Sequence, residues 1–101
     1  RIQMLQNFRS YQLAVQLYKD CKPIKAQSHI KDQLSRATLS VVLNLAEGSA
    51  KPTPKERKRF YSIAFGSLRE TQAILTILER QKEFAVSNDL GAMLYKLVHS
   101  K

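Results

Sequence analysis

Apolar residues in this chain recur at intervals of three and four positions, and this spacing most limits the fold it can adopt. Its clearest instance is a stripe made of Ile30, Leu34, Ala37, Val41 and Leu45. Because an α-helix has 3.6 residues per turn, side chains at these intervals lie on one helical face. No stretch shows the two-residue alternation of a half-buried β-strand. The sequence therefore predicts an all-α fold.

Breaks in this spacing divide the chain into four predicted helices, at approximately 8–21, 29–47, 54–82 and 88–101. Pro23 ends the first, because proline disfavours helix at the residue before it. Ser28 is predicted to cap the start of the second helix, and Gly48 to follow its end. Short connections make consecutive helices antiparallel neighbours, so residues 1–101 are predicted to form a single up-down four-helix bundle domain.

The later helix starts are predicted from capping residues. Thr53 suits the N-cap of the third helix, Pro54 suits its first position, and Glu56 completes a capping box. Ser87 is predicted to cap the fourth helix. Gly66 lies within the third helix, where glycine costs about 1 kcal/mol relative to alanine. We expect it to allow close approach by another helix or subunit, and the alternative is a glycine that is merely tolerated there.

The predicted second helix carries a further apolar stripe, roughly opposite the first: Leu39, Val42, Leu43 and Ala46. A helix that is apolar on two sides needs two partners. Another subunit is a candidate for the second partner, and a chain of 101 residues buries only a modest core by itself.

The chain carries 17 Lys and Arg against 8 Asp and Glu, a formal net charge of +9. Such a balance favours polyanionic partners: nucleic acid, an acidic membrane surface or an acidic protein patch. The longest apolar run is far too short to span a membrane, and no membrane partner is expected. The single cysteine, Cys21, fits a reducing compartment, so a cytoplasmic location is expected. Cys21 is interpreted as a core residue and not as a nucleophile.

Positive charge concentrates where the third helix begins. Lys55, Lys58 and Arg59 share one helical face, which Arg69 and Arg80 extend, and cations spaced in this way can follow a phosphate backbone without reading bases. The alternative is a solvated helix start. Against it, cations at a helix amino terminus oppose the macrodipole, at a cost of roughly 0.3–1 kcal/mol each. The candidate nucleic-acid-binding residues are Lys51, Lys55, Arg57, Lys58, Arg59, Arg69 and Arg36.

Asn44 and Glu47 are interpreted as a structural polar pairing, with Arg57 or Arg59 as the expected partner of Glu47. No catalytic residue is assigned, because no second acid, base or metal ligand lies at matching reach. His29 and His99 are far apart and lack companions at metal-ligand spacing. The sequence therefore predicts no enzyme activity, no metal and no cofactor.

The sequence resembles a family of four-helix-bundle proteins encoded within intervening sequences of bacterial 23S rRNA genes. The same family includes the accessory variability protein of diversity-generating retroelements. The matching features are LSRAT (Leu34–Thr38), NLAEG (Asn44–Gly48) and ERKRFYSIAFGSLRET (Glu56–Thr71). An aromatic residue at Phe8 and the run LAVQLYKDCK (Leu13–Lys22) match more loosely.

The resemblance implies assembly into a homopentameric ring or barrel. In the retroelement branch it implies a basic accessory protein that binds DNA and RNA with little sequence preference, with a reverse transcriptase as candidate partner. Two features depart from the family pattern. Arg69 stands where an acidic residue is common, which favours the retroelement branch, and the fourth helix usually runs beyond the segment that ends at Lys101.

The alternative reading is a structural scaffold encoded in an rRNA intervening sequence. Its basic surface would dock an acidic protein partner, with no direct role at nucleic acid. Neither branch implies an enzyme.

Overall fold

The computed structural model describes Leu5 and residues 8–100, which form four α-helices and no β-strand. The helices are α1 (Arg9–Cys21), α2 (Ser28–Ser49), α3 (Pro54–Ile77) and α4 (Gln81–His99). Each helix packs on the next, and α1 packs on α4. The predicted all-α, four-helix-bundle class is confirmed. Lys101, where the predicted fourth helix ended, lies outside the described residues.

The core runs along the axis of the bundle, and leucine is the most frequent of its buried apolar residues. Every helix contributes a leucine that is at most 1% exposed: Leu17, Leu45, Leu68 and Leu90. Burying a leucine side chain contributes roughly 1.5–3 kcal/mol. The first apolar stripe of α2 faces the core from Leu34 to Leu45, whereas Ile30 is half-buried. Of its second stripe Val42 is buried, whereas Leu39 and Leu43 remain 38% and 56% exposed.

Gly48 lies inside α2, so the prediction that it follows the end of this helix is wrong. It has no positive φ, and α2 continues to Ser49. A Cβ atom at Gly48 would lie 2.7 Å from Tyr61 Cε1 and 3.1 Å from Phe60 Cβ. The glycine is needed for the close approach of α2 to α3, and not for chain reversal.

The predicted start of α3 is confirmed. Thr53 Oγ1 accepts a hydrogen bond from the backbone N–H of Glu56 at 3.2 Å, and Pro54 is the first helical residue. The predicted cap of α2 is wrong by one position. Ser28 is itself the first helical residue, and Gln27 occupies the N-cap without a side-chain capping bond.

The predicted boundary between the third and fourth helices is also wrong. α3 ends at Ile77 and not near residue 82, because Glu79 adopts a left-handed conformation with φ 57°. The backbone N–H of Arg80 then donates to Leu75 O at 2.9 Å. A hydrogen bond to the carbonyl five residues earlier is typical of a Schellman motif at a helix end. The left-handed position of this motif, here Glu79, is usually glycine.

Ser87 consequently lies inside α4 and does not cap it. It is fully buried, and its Oγ donates to Phe84 O at 2.6 Å. The same oxygen accepts from Gln72 Nε2 at 3.2 Å, so Ser87 joins α4 to α3.

Candidate nucleic-acid interface

Two of the candidate cations, Lys51 and Arg57, form contacts that stabilise the connection between α2 and α3. Lys51 Nζ lies 2.9 Å from Glu47 Oε2, and its ammonium group lies 5.1 Å from the centroid of the Phe60 ring. Arg57 Nη1 donates to the backbone oxygen of Lys51 at 3.0 Å. Lys51 and Arg57 therefore have structural partners within the connection itself.

The predicted partner of Glu47 was wrong. Glu47 pairs with Lys51 instead of Arg57 or Arg59, because a lysine four positions along the chain reaches it without crossing to α3. Asn44 forms its bonds within α2: its Nδ2 donates to Ser40 O at 2.9 Å and lies 3.2 Å from Ser40 Oγ.

Ser40 in turn joins the two central helices. Its Oγ shares a hydrogen bond with Ser67 Oγ at 2.7 Å, with both groups partly buried. Asn44 therefore bonds to the same serine, Ser40, that joins α2 to Ser67 of α3. Asn44 was interpreted together with Glu47 as a structural polar pairing, and its hydrogen bonds are made within the fold, to Ser40.

Three cations at the start of α3 are placed differently. Lys55 and Arg59 are exposed and Lys58 is half-buried. Among residues 8–100, no carboxylate forms an ion pair with any of them. Glu56 is the acidic residue in the first turn of α3. The three side chains therefore present positive charge to solvent beside the positive end of the helix dipole. They are called the α3 cation cluster below.

The remaining candidates lie away from this cluster. Arg69 is exposed and follows Lys58 by three helical turns, roughly 16 Å at 1.5 Å per residue. Its guanidinium lies 5.3 Å from the centroid of the Phe65 ring. Arg36 is exposed on α2 and precedes Ser49, the last residue of α2, by 13 positions, roughly 20 Å at 1.5 Å per residue. Arg80 cannot extend the stripe as predicted, because it lies beyond the end of α3.

Within the part of the chain that the structure describes, Gly66 does not pack against another helix. A Cβ atom added there would meet nothing within 4 Å in the described structure. The prediction of close packing inside the bundle is wrong, and approach by another subunit remains a proposal.

The single cysteine, Cys21, is buried in the bundle. Cys21 is 4% exposed, and burial raises the pKa of its thiol to about 11. A thiol in this state is a poor nucleophile at neutral pH. Within the described part of the chain, no group of three or more His, Cys, Asp or Glu could hold a metal ion. No helix there is long and apolar enough to cross a membrane.

The sequence reasoning missed an ion pair at the other end of the bundle. Arg80 Nη2 lies 2.9 Å from Glu83 Oε2, and Arg80 Nε donates to Glu83 Oε1 at 3.1 Å. The Glu83 side chain is only 8% exposed. The hydrogen bonds from Arg80 lower the pKa of this carboxyl, against the effect of its burial. The i, i+3 spacing of Arg80 and Glu83 was the available signal, but the predicted end of the third helix near residue 82 placed the two residues on different elements.

A second feature that was missed is a row of rings between α3 and α4. Phe65 and Tyr95 meet edge to face with ring centroids 6.5 Å apart. Tyr95 stacks on His99 at 4.0 Å with an interplanar angle of 28°. Phe65, Tyr95 and His99 are called the aromatic strip below. The i, i+4 spacing of Tyr95 and His99 was the available signal.

A family model described as 23S rRNA-intervening sequence protein matches residues 4–98. The chain belongs to this family. The resemblance drawn from LSRAT, NLAEG and ERKRFYSIAFGSLRET is confirmed at the level of the family. A search of curated proteins and a search of solved structures each found no match. Within the NLAEG segment, Gly48 allows α2 to lie close to Phe60 and Tyr61 of α3.

Proposed function

We propose that this 23S rRNA-intervening sequence protein is a non-enzymatic accessory protein that binds DNA or RNA with little sequence preference. The observation that carries the proposal is the α3 cation cluster, Lys55, Lys58 and Arg59. These side chains have no acidic partner among the described residues, whereas Lys51, Arg57 and Arg80 are bonded within the fold.

The electrostatics at this helix end favour a phosphate ligand. The first N–H groups of a helix carry partial positive charge, which acts within the first turn and repels the ammonium group of Lys55. A phosphate is attracted by the side chains and by the helix end together. Binding of a nucleic-acid backbone would therefore relieve an unfavourable arrangement in the free protein. Contacts of this kind neutralise phosphates and carry no base specificity.

The proposal includes self-association into a homopentamer. Its support is an exposed apolar surface along the junction of α2 and α3. Leu43 is 56% exposed and Ile63 is 45% exposed. Each lies one turn from the hydrogen bond between Ser40 and Ser67, so both border the same junction. Large apolar side chains in this position favour a protein partner, and a ring of copies would repeat the cation cluster around its circumference.

Association with the reverse transcriptase of a retroelement is the most specific part of the proposal. It is supported by the family resemblance and by the basic character of the chain. Co-purification of a neighbouring gene product after nuclease treatment tests this part, since a bridge made only of nucleic acid does not survive that treatment. Loss of the partner on nuclease treatment would contradict a direct protein contact.

Binding to mixed-sequence DNA and RNA in a gel-shift series of rising salt tests the central claim. Phosphate neutralisation releases counterions, so the logarithm of the binding constant is expected to fall linearly with the logarithm of salt concentration. Absence of binding at low salt would overturn the proposal. The competing scaffold function would then be favoured, with the same cations docking an acidic protein.

A further inference from the structure

The aromatic strip presents ring faces and edges to solvent on one side of the bundle. Tyr95 is 55% exposed, although it packs edge to face on Phe65 and stacks on His99. His99 is exposed as well, and its Nδ1 lies 2.9 Å from the backbone oxygen of Tyr95. These contacts fix the orientation of the two rings. A solvent-facing aromatic pair held in this way loses little conformational freedom when a flat ligand stacks on it.

Cations border the strip on α3. Lys58 and Phe65 are two helical turns apart on one face, and Arg69 follows Phe65 by one more turn. The Arg69 guanidinium already lies over the Phe65 ring, at 5.3 Å. Antiparallel packing places Tyr95 opposite Phe65 and brings His99 towards the amino end of α3. Rings and cations therefore alternate along a single surface.

Acidic side chains are absent from this surface among the described residues. Lys58, Ser62 and Arg69 lie at helical spacing from Phe65 on α3, and Ala92 and His99 lie at helical spacing from Tyr95 on α4. None of these residues is acidic. Glu70, the neighbour of Arg69, faces the other way, since its Oε2 accepts from Gln33 Nε2 of α2. An identical surface on a second copy would bring like charges together, which disfavours a two-fold self-contact. The charge instead complements a polyanion that also carries flat apolar groups.

We propose that Tyr95 and His99 stack unpaired bases of single-stranded DNA or RNA, while Lys58 and Arg69 contact its phosphates. This inference rests on the proposed nucleic-acid-binding function and adds a preference for single strands. Bases in a duplex are already stacked on one another and cannot lie on a protein ring. Bases in a single strand can, and every base has a face that an aromatic ring accepts. The mode needs no sequence readout.

The test compares three labelled probes of one length by fluorescence anisotropy: a mixed-sequence single strand, its duplex, and a strand whose sugars lack bases. The base-free strand keeps the phosphates and removes every stacking partner. We expect the protein to bind the complete single strand at least about fivefold more tightly than the base-free strand, as base stacking predicts. Equal affinity for these two strands would overturn the stacking proposal and leave phosphate binding intact.

Matched substitutions at Tyr95 separate stacking from general apolar contact. Tyr95→Phe keeps the ring, so the preference for bases should persist. Tyr95→Leu keeps apolar volume but removes the ring, and affinity for the complete strand should fall about fivefold or more while base-free binding is unchanged. Ile77→Leu, at an exposed apolar position outside the strip, is the control. Circular dichroism and light scattering should show unchanged helicity and assembly in all three variants.

The outcomes distinguish the two proposals. Failure of every probe to bind would remove the proposed function and the stacking inference together. Binding of all probes with no effect of Tyr95→Leu would remove the stacking inference alone. A change of oligomeric state in Tyr95→Leu would assign the strip to a protein contact and would also overturn the inference.

Discussion

Gly48 of α2 and Tyr61 of α3 are in such close contact that no side chain fits between them. A Cβ atom at Gly48 would lie 2.7 Å from Tyr61 Cε1. Tyr61 is 7% exposed and its ring also packs near that of Phe8, with centroids 6.1 Å apart, so it cannot easily move aside. This close contact therefore lies near the start of α3, which carries the α3 cation cluster.

Gly48→Ala is expected to lower the free energy of unfolding by about 1–2 kcal/mol. Overpacking costs roughly 1–3 kcal/mol, and the higher helix propensity of alanine offsets part of this. Urea unfolding followed by circular dichroism measures the change. In a Tyr61→Leu background, the same substitution should cost less, because the ring that it strikes is absent. Equal cost in both backgrounds would mean that Tyr61 is not the obstacle.

Gly66→Ala serves as the matched glycine substitution and should have the opposite sign. A Cβ atom there meets no described residue within 4 Å, so the folded chain should gain about 0.5–1 kcal/mol from helix propensity alone. If another subunit approaches Gly66, the variant will instead weaken assembly, which light scattering would show. An unstable monomer would contradict the open environment of this position.

Glu79 ends α3 in a conformation that disfavours its own side chain. A left-handed backbone conformation costs a non-glycine residue roughly 1–2 kcal/mol. Glycine removes this cost but also increases the conformational entropy of the unfolded chain, so Glu79→Gly should stabilise the fold by up to about 1 kcal/mol. Glu79→Val should destabilise it, because β-branched residues tolerate this region least. Thermal unfolding of both variants measures the difference. Destabilisation by glycine would mean that the Glu79 side chain has a favourable contact.

The same helix end shows why part of the fold was predictable and part was not. Leu34, Leu45 and Leu68 occupy positions whose spacing alone assigns them to the core. Thr53 and Pro54 mark the start of α3 by local chemistry. The end of α3 has no glycine or proline, and the apolar residues keep their helical spacing through the turn that follows. The sequence pattern therefore predicts one longer helix.

The candidate site shows a similar division. Helical spacing was sufficient to place Lys55, Lys58 and Arg59 together on one helix. It could not show that Lys51 and Arg57 are bonded within the corner, since those contacts depend on how the connection folds back. The pairing of Phe65 with Tyr95 depends on the register of α3 against α4, which the misplaced boundary concealed.

The ion pair between Arg80 and Glu83 should make stability depend on acid pH. The folded-state pKa of Glu83 is lowered below its ordinary value of 4.5, chiefly by hydrogen bonds from Arg80. Its contribution to stability is therefore complete above about pH 4.5 and is lost as pH falls through the lowered pKa. In Arg80→Ala these hydrogen bonds are absent and burial favours the neutral carboxyl of Glu83, so the variant should lose less stability than the wild type as pH falls through this range.

Urea midpoints measured across the acid range for wild type, Arg80→Ala and Glu83→Gln check this expectation. Glu83→Gln has no carboxyl at this position and should lose that part of the pH dependence. Parallel pH profiles for all three proteins would mean that the pair contributes nothing to acid sensitivity.

Leu43→Glu should dissociate the proposed homopentamer without unfolding the chain. Leu43 is 56% exposed in the described structure, so its replacement disturbs little of the bundle, whereas a carboxylate buried between subunits would lack a partner. Light scattering is expected to give five times the 11.6 kDa chain mass for wild type and a smaller mass for the variant. Gln12→Glu, an exposed polar position on α1, is the charge-matched control. A monomeric wild type would refute the assembly.

Replacing Lys55, Lys58 and Arg59 together by alanine should weaken nucleic-acid binding and reduce its dependence on salt. Each lost phosphate contact lowers the slope of log K against log salt by about 0.9 for duplex DNA, so the slope should fall by up to roughly 3. Affinity for different sequences should fall by similar factors, because phosphates and not bases are contacted. The matched control is Lys19, Lys25 and Lys31 replaced by alanine, which removes the same charge from exposed positions at the opposite end of the bundle. Equal losses in the two triple variants would mean that net charge, and not the α3 cation cluster, determines binding.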